Sequence, residues 1–105
     1  MSDIAVLNES NFDETTSNGV VVVDFYADWC GPCKMFAPVF AEAKEEYEGR
    51  VVFAKVNVDD SKTLAMKFNV LGIPTIVFFK DGKAVDRVSG VLNKDSLYGK
   101  INALL

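Results

Sequence analysis

At 105 residues, with 50% hydrophobic and 25% charged side chains, the chain has the size and make-up of one globular domain spanning 1–105, and a disordered segment or repeat array is excluded. A formal net charge of −4 argues against a concentrated basic surface, so neither nucleic acid nor membrane is an expected partner.

Met1-Ser2-Asp3 places an acidic residue where an export signal would be basic, and the apolar stretch that follows ends at Asn8. A cytoplasmic protein is expected, with a mature exported form, its signal removed, as the alternative. Ile4 to Leu7 reads as a first strand, and Asn8 to Ser17 as a helix entered through a polar cap, with Phe12 as its apolar anchor. Val20 to Tyr26 is β-branched and lacks polar alternation, the pattern of a central strand covered on both faces. Asp24 interrupts that run, which is in any case far too short to span a membrane.

A second helix is expected from around Cys33 to Tyr47, burying Phe36, Val39, Phe40 and Ala43, kinked by Pro38 and stopping near Gly49. Val51 to Val58 is the next buried strand, and Asp59-Asp60 can cap a helix from Ser61 to Phe68. Ile76 to Phe79 and Ala84 to Val88 flank the turn Lys80-Asp81-Gly82-Lys83 as an antiparallel hairpin. Lys94 to Leu105 closes the chain as an amphipathic helix, with Asn93 or Asp95 near its start and Leu97, Ile101, Leu104 and Leu105 on its apolar face. The sum is an α/β architecture, a central mixed sheet of four to five strands with helices on both faces.

Both cysteines fall in Trp29-Cys30-Gly31-Pro32-Cys33, after the buried strand and before the helical pattern. Two intervening residues allow a small disulfide ring, and Gly31-Pro32 supplies the turn that closes it. So short a loop restricts the unfolded chain little, which points to chemistry and not to stapling. In the cytosol, catalytic disulfides are used where permanent ones are disfavoured. Cys30, at the mouth of the helix, would have its thiolate stabilised by free backbone N–H groups and the helix dipole, and is the expected nucleophile. Cys33, a turn further in, is the expected resolving thiol. Half of a zinc site is a poor alternative, because the chain holds no third cysteine and no histidine. An inert disulfide in a turn is the other.

The segment Asp24-Phe25-Tyr26-Ala27-Asp28-Trp29-Cys30-Gly31-Pro32-Cys33-Lys34 resembles the active-site segment of the thioredoxin family. The likeness continues through Pro38, Lys55-Val56-Asn57-Val58-Asp59, Gly72-Ile73-Pro74-Thr75, Lys80-Asp81-Gly82 and Ser89-Gly90, in order and over nearly the whole length. It implies the thioredoxin fold and a general protein-disulfide reductase that carries electrons without a cofactor of its own. Its implied partners are disulfide-containing target proteins and a thioredoxin reductase drawing on NADPH, and a monomer is expected.

For particular residues the resemblance implies that Asp24 is a buried carboxylate moving the proton on and off Cys33. A carboxylate within an apolar strand also has a raised pKa on physical grounds, so it could serve as general base where histidine is absent. Lys55 matches the family's lysine near that carboxylate; as a bare feature it could equally be a snorkelling surface lysine. Pro74 matches a cis-proline that keeps metal from the thiols, and Ile73 would pair its backbone with an extended substrate. Trp29, Gly72, Ile73, Pro74, Gly90 and Val91 would form the apolar rim that docks targets. Gly31-Pro32 resembles the reducing branch, whereas oxidases and isomerases usually carry histidine there. The sequence departs from many relatives at Tyr26 (often tryptophan), Asp28 (often glutamate) and Val91 (often alanine). A scaffold subunit with incidental thiols is the remaining alternative, which could dispense with the cysteines, Asp24 or Pro74.

Overall fold

A strand that is apolar on both faces needs cover on both faces, and Val20–Tyr26 receives it. The computed structural model describes residues 4–105. Its order is β1 (Ala5–Val6), α1 (Phe12–Thr16), β2 (Val20–Tyr26), α2 (Gly31–Glu46), β3 (Val51–Asn57), α3 (Lys62–Lys67), β4 (Thr75–Lys80), β5 (Lys83–Ser89) and α4 (Lys94–Asn102). The five strands form one sheet in the order β1-β3-β2-β4-β5. β1, β3 and β2 run parallel, while β4 and β5 are antiparallel to their neighbours, so β2 lies where the two halves meet. This is the mixed sheet with helices on both faces that the sequence predicts.

Alternate side chains of β2 feed opposite layers, as the two-residue period of a strand requires. Val20 and Val22 join Ile76, Phe78, the α2 residues Phe36, Phe40 and Ala43, and the α4 residues Leu97 and Ile101. Val21, Val23 and Phe25 join Phe12, Leu64, Val77 and Phe79 on the other side. Phe68 closes that second layer against Phe12, Phe25 and Phe79, with ring centroids 5.1, 5.9 and 5.5 Å away. Each fully buried phenylalanine adds about 2–3 kcal/mol from area removed from water. Both layers thereby fix the end of β2, from which the chain enters α2.

Several boundaries differ from expectation for local reasons. α1 starts at Phe12 and not at Asn8, because Asn8 and Asn11 spend their side chains on a turn: Asn11 Oδ1 accepts from Asn8 N–H at 2.8 Å, and Asn8 Oδ1 accepts from Ser10 N–H at 2.9 Å. α2 starts at Gly31, two residues before Cys33. Pro32 in the first turn lacks only an N–H that would have had no helical partner. Pro38 lies inside α2 without ending it.

Asp59 and Asp60 do not cap α3. Their backbone N–H groups donate to Asn57 Oδ1, and Ser61 occupies the cap position without a side-chain hydrogen bond. Asn93 does cap α4, accepting from Ser96 N–H at 2.8 Å. That helix ends at Asn102; beyond it Leu104 is half-buried and packs against the layer of Leu97 and Ile101, whereas Leu105 is exposed instead of on the buried face.

Candidate active site

Cys30 and Cys33 are joined as a disulfide, with Cα atoms 5.2 Å apart. Cys30 is the N-cap of α2, and its Sγ accepts a hydrogen bond from Cys33 N–H at 3.1 Å. Negative charge on that sulfur would meet a backbone donor and the positive end of a sixteen-residue helix. Both cysteines are nearly covered, 3% and 5% exposed, so exposure does not separate them. Their surroundings do.

Cys30 faces the segment before β4. Its Sγ lies 3.7 Å from the Ile73 carbonyl oxygen, and the Ile73–Pro74 peptide is cis. Pro74 O accepts from Gly90 N–H at 2.8 Å, and Thr75 Oγ1 donates to Gly72 O. Gly90 has φ of 103°, a conformation open to glycine and strained for other residues. Val91 beyond it is exposed, as are Gly72, Gly31 and Pro32, while Pro74 is buried and Ile73 half-buried. Trp29 is 70% exposed, not a core tryptophan.

Its indole N–H donates to Asp59 Oδ2 at 2.8 Å. Asp59 is a site neighbour that sequence reading assigned to a helix cap. The available signal was register: β2 and β3 pair in parallel with Tyr26 beside Asn57, which brings the residues after each strand together. Val58 N–H donates to Tyr26 O at 2.9 Å as that pairing ends.

Cys33 faces inward to a pocket of about 200 Å³, whose wall also includes Asp24, Tyr26, Lys34 and Lys55. Asp24 pairs with Lys55 in the β2–β3 register, which puts both side chains on one face of the sheet. Asp24 is 5% exposed, and its Oδ1 is buried with no hydrogen-bond partner among the described residues. Burial pushes the Asp24 pKa up from 3.8 to about 7, outweighing the Lys55 charge that pulls the other way. The Lys55 ammonium itself lies over the Tyr26 ring, 5.0 Å from its centroid. Near neutral pH the carboxyl can therefore hold or release a proton beside Cys33.

A disulfide that caps a helix at the end of a buried central strand, with a titratable carboxyl behind it, defines an oxidoreductase-type site. The family model named Thioredoxin matches residues 3–103, and the chain belongs to the thioredoxin family. It is 48% identical over 94 residues to a thioredoxin of Staphylococcus haemolyticus, covering 90% of each chain. It is 46% identical over 99 residues to one of Chlamydia caviae, covering 94% of this chain and 96% of that one. Among solved structures, Malassezia sympodialis thioredoxin superposes with a TM-score of 0.89 at 36% identity, over 99% of this chain and 92% of that one. A mutant thioredoxin from Halobacterium salinarum gives 0.88 at 40% identity, over 96% and 88%.

Proposed function

We propose that the protein is a general protein-disulfide reductase and electron carrier of the cytoplasm, acting as a monomer and re-reduced by a thioredoxin reductase that draws on NADPH. The observation that carries this reading is the unequal setting of the two sulfurs. Cys30 has the helix N-terminus and the Cys33 N–H, while Cys33 has the pocket containing Asp24.

In the reduced protein the Cys30 thiolate attacks one sulfur of a substrate disulfide. A bond forms between Cys30 Sγ and that sulfur, the substrate S–S bond breaks, and the departing substrate sulfur leaves as a thiolate that takes a proton from water. Asp24, as its carboxylate, accepts the Cys33 thiol proton, directly or through one water. The Cys33 thiolate then attacks Cys30 Sγ, the mixed disulfide breaks, and the second substrate sulfur departs as a thiolate. Two electrons have passed to the substrate, and Cys30–Cys33 is oxidised. The Ile73 backbone, beside Cys30 Sγ, is suited to align an extended substrate strand, with Trp29 and Val91 offering apolar contact. No cofactor enters these steps, and Lys55 acts by moderating the charge of Asp24.

Insulin reduction driven by NADPH and a thioredoxin reductase tests the reading. The wild type should turn over, Cys30→Ser should be inactive, and Cys33→Ser should accumulate the mixed disulfide through Cys30. Turnover unaffected by Cys30→Ser would overturn the mechanism.

A further inference from the structure

The edge strand β5 has little apolar cover, yet its central residues reach both helical layers. Pairing with β4 slips by one residue: Phe79 faces Ala84 and Phe78 faces Asp86, leaving Val85 as the extra residue of a bulge. A bulge reverses the alternation of side chains beyond it. Asp86 thereby shares a face with Phe78 and meets Lys100 of α4 at 2.9 Å. Arg87 shares the opposite face with Val77 and reaches the end of α3. Regular pairing would exchange those two faces.

The Arg87 contact is specific. One guanidinium nitrogen donates to the Phe68 carbonyl, and the other donates to the Asn69 carbonyl at 3.2 Å. These carbonyls lie where α3 stops, and Asn69 turns the chain with φ of 53°. Four residues later comes Ile73, whose carbonyl oxygen lies against Cys30 Sγ. At the far end of the same segment, Gly90 N–H holds the Pro74 carbonyl. β5 and the glycine that follows it therefore grip the 68–74 segment at both ends, by the Arg87 side chain at its start and by the Gly90 backbone at its finish. Between the grips, Leu71 is 89% exposed and has little packing to hold it.

The geometry points to Arg87 as a positioning residue for substrate pairing, fixing through the Phe68 and Asn69 carbonyls where the Ile73 backbone stands beside Cys30. This rests on the reductase reading above. Arg87 touches neither sulfur nor substrate, and its effect falls on substrates that must lay a peptide backbone along Ile73. A small aromatic disulfide, lacking such a backbone, reacts with Cys30 without that aid. The planar fork that reaches two carbonyls is particular to arginine; lysine offers a point charge that reaches one at a time.

The test compares second-order rate constants of the reduced protein with insulin and with 5,5′-dithiobis(2-nitrobenzoate), for wild type, Arg87→Lys and Arg87→Ala. Loss of the paired hydrogen bonds should lower the insulin rate about three- to tenfold in Arg87→Ala. The small-disulfide rate and the reduction potential should stay at wild-type values, with Arg87→Lys intermediate on insulin. Amide hydrogen exchange at Asn69 and Val70, whose N–H groups donate to the Met66 and Ala65 carbonyls, should quicken in Arg87→Ala, which reports on the segment whatever the change in melting temperature. Equal changes on both substrates, or an unchanged insulin rate, would overturn the inference. Failure of the reductase reading looks different: the wild type itself would leave insulin unreduced.

Discussion

The two sides of the Cys30–Cys33 disulfide are built from opposite materials. On the Cys30 side stand backbone and apolar groups: the Ile73 carbonyl, the cis Pro74, exposed Trp29 and Val91. On the Cys33 side a pocket gathers ionisable groups, Asp24, Lys34 and Lys55. In the proposed reductase cycle one side meets the substrate chain and the other handles a proton, with the sulfur–sulfur bond shared between them. Changes to one side should then leave the other side's work intact.

The largest expected effect is at the bond itself. Cys30→Ser should lower insulin reduction by at least about 1000-fold, since no other thiol has the helix N-terminus to stabilise its anion. Next is Asp24→Asn, which should slow resolution of the mixed disulfide near neutral pH on the order of 100-fold and remove the inflection near pH 7 from its rate profile. Rapid quench with a mixed disulfide trapped on Cys30 reads this directly. The first attack by Cys30 should change far less.

The same substitution should stabilise the oxidised fold. Folded Asp24 keeps its proton up to about pH 7, whereas the unfolded chain releases it near 3.8. Between those values the folded state binds more protons, so wild-type stability falls as pH rises and levels off above pH 7. An amide at this position does not titrate and has no such loss. Denaturant melts should show nearly no difference below pH 4 and a growing advantage for Asp24→Asn up to pH 7, at most on the order of 4 kcal/mol.

A smaller effect belongs to the docking side. Trp29→Ala should reduce the rate with insulin about three- to tenfold and leave the rate with a small aromatic disulfide alone. The released Asp59 carboxylate is exposed and rehydrates, so stability should change little. Smallest is Lys55→Met. Removing the positive charge beside Asp24 should move its titration above about 7, followed by carboxyl NMR in the oxidised protein.

Much of this was legible because the relevant signals are local. The uninterrupted apolar run of Val20–Val23 required two covered faces, and the structure supplies two separate layers. Asp24 directly after that run is conspicuous, and its burial turns a compositional oddity into a proton-binding group. The turn residues Lys80-Asp81-Gly82-Lys83 gave the hairpin. What escaped depends on contacts between distant segments. The pairing of Trp29 with Asp59 needs the parallel register of β2 and β3, so Asp59 looked like a helix cap. The bulge at Val85 has no signature in Lys83–Ser89, yet it decides which layer Asp86 and Arg87 serve. Asn8 looks like a helix entrance because asparagine favours caps, and only the observed hydrogen bonds show it held in a turn with Ser10 and Asn11 instead.

The division between the two sides of the disulfide can be read in one labelling experiment. Reduced protein is treated with limiting iodoacetamide from pH 5 to 9, and each cysteine's modification is followed by peptide mass spectrometry. Cys30 should be alkylated first throughout, with an apparent thiolate pKa below the free-cysteine value of about 8.5, and Cys33 should lag until Cys30 is blocked. Equal labelling of the two, or Cys33 ahead of Cys30, would contradict the assignment of attack to one sulfur and resolution to the other.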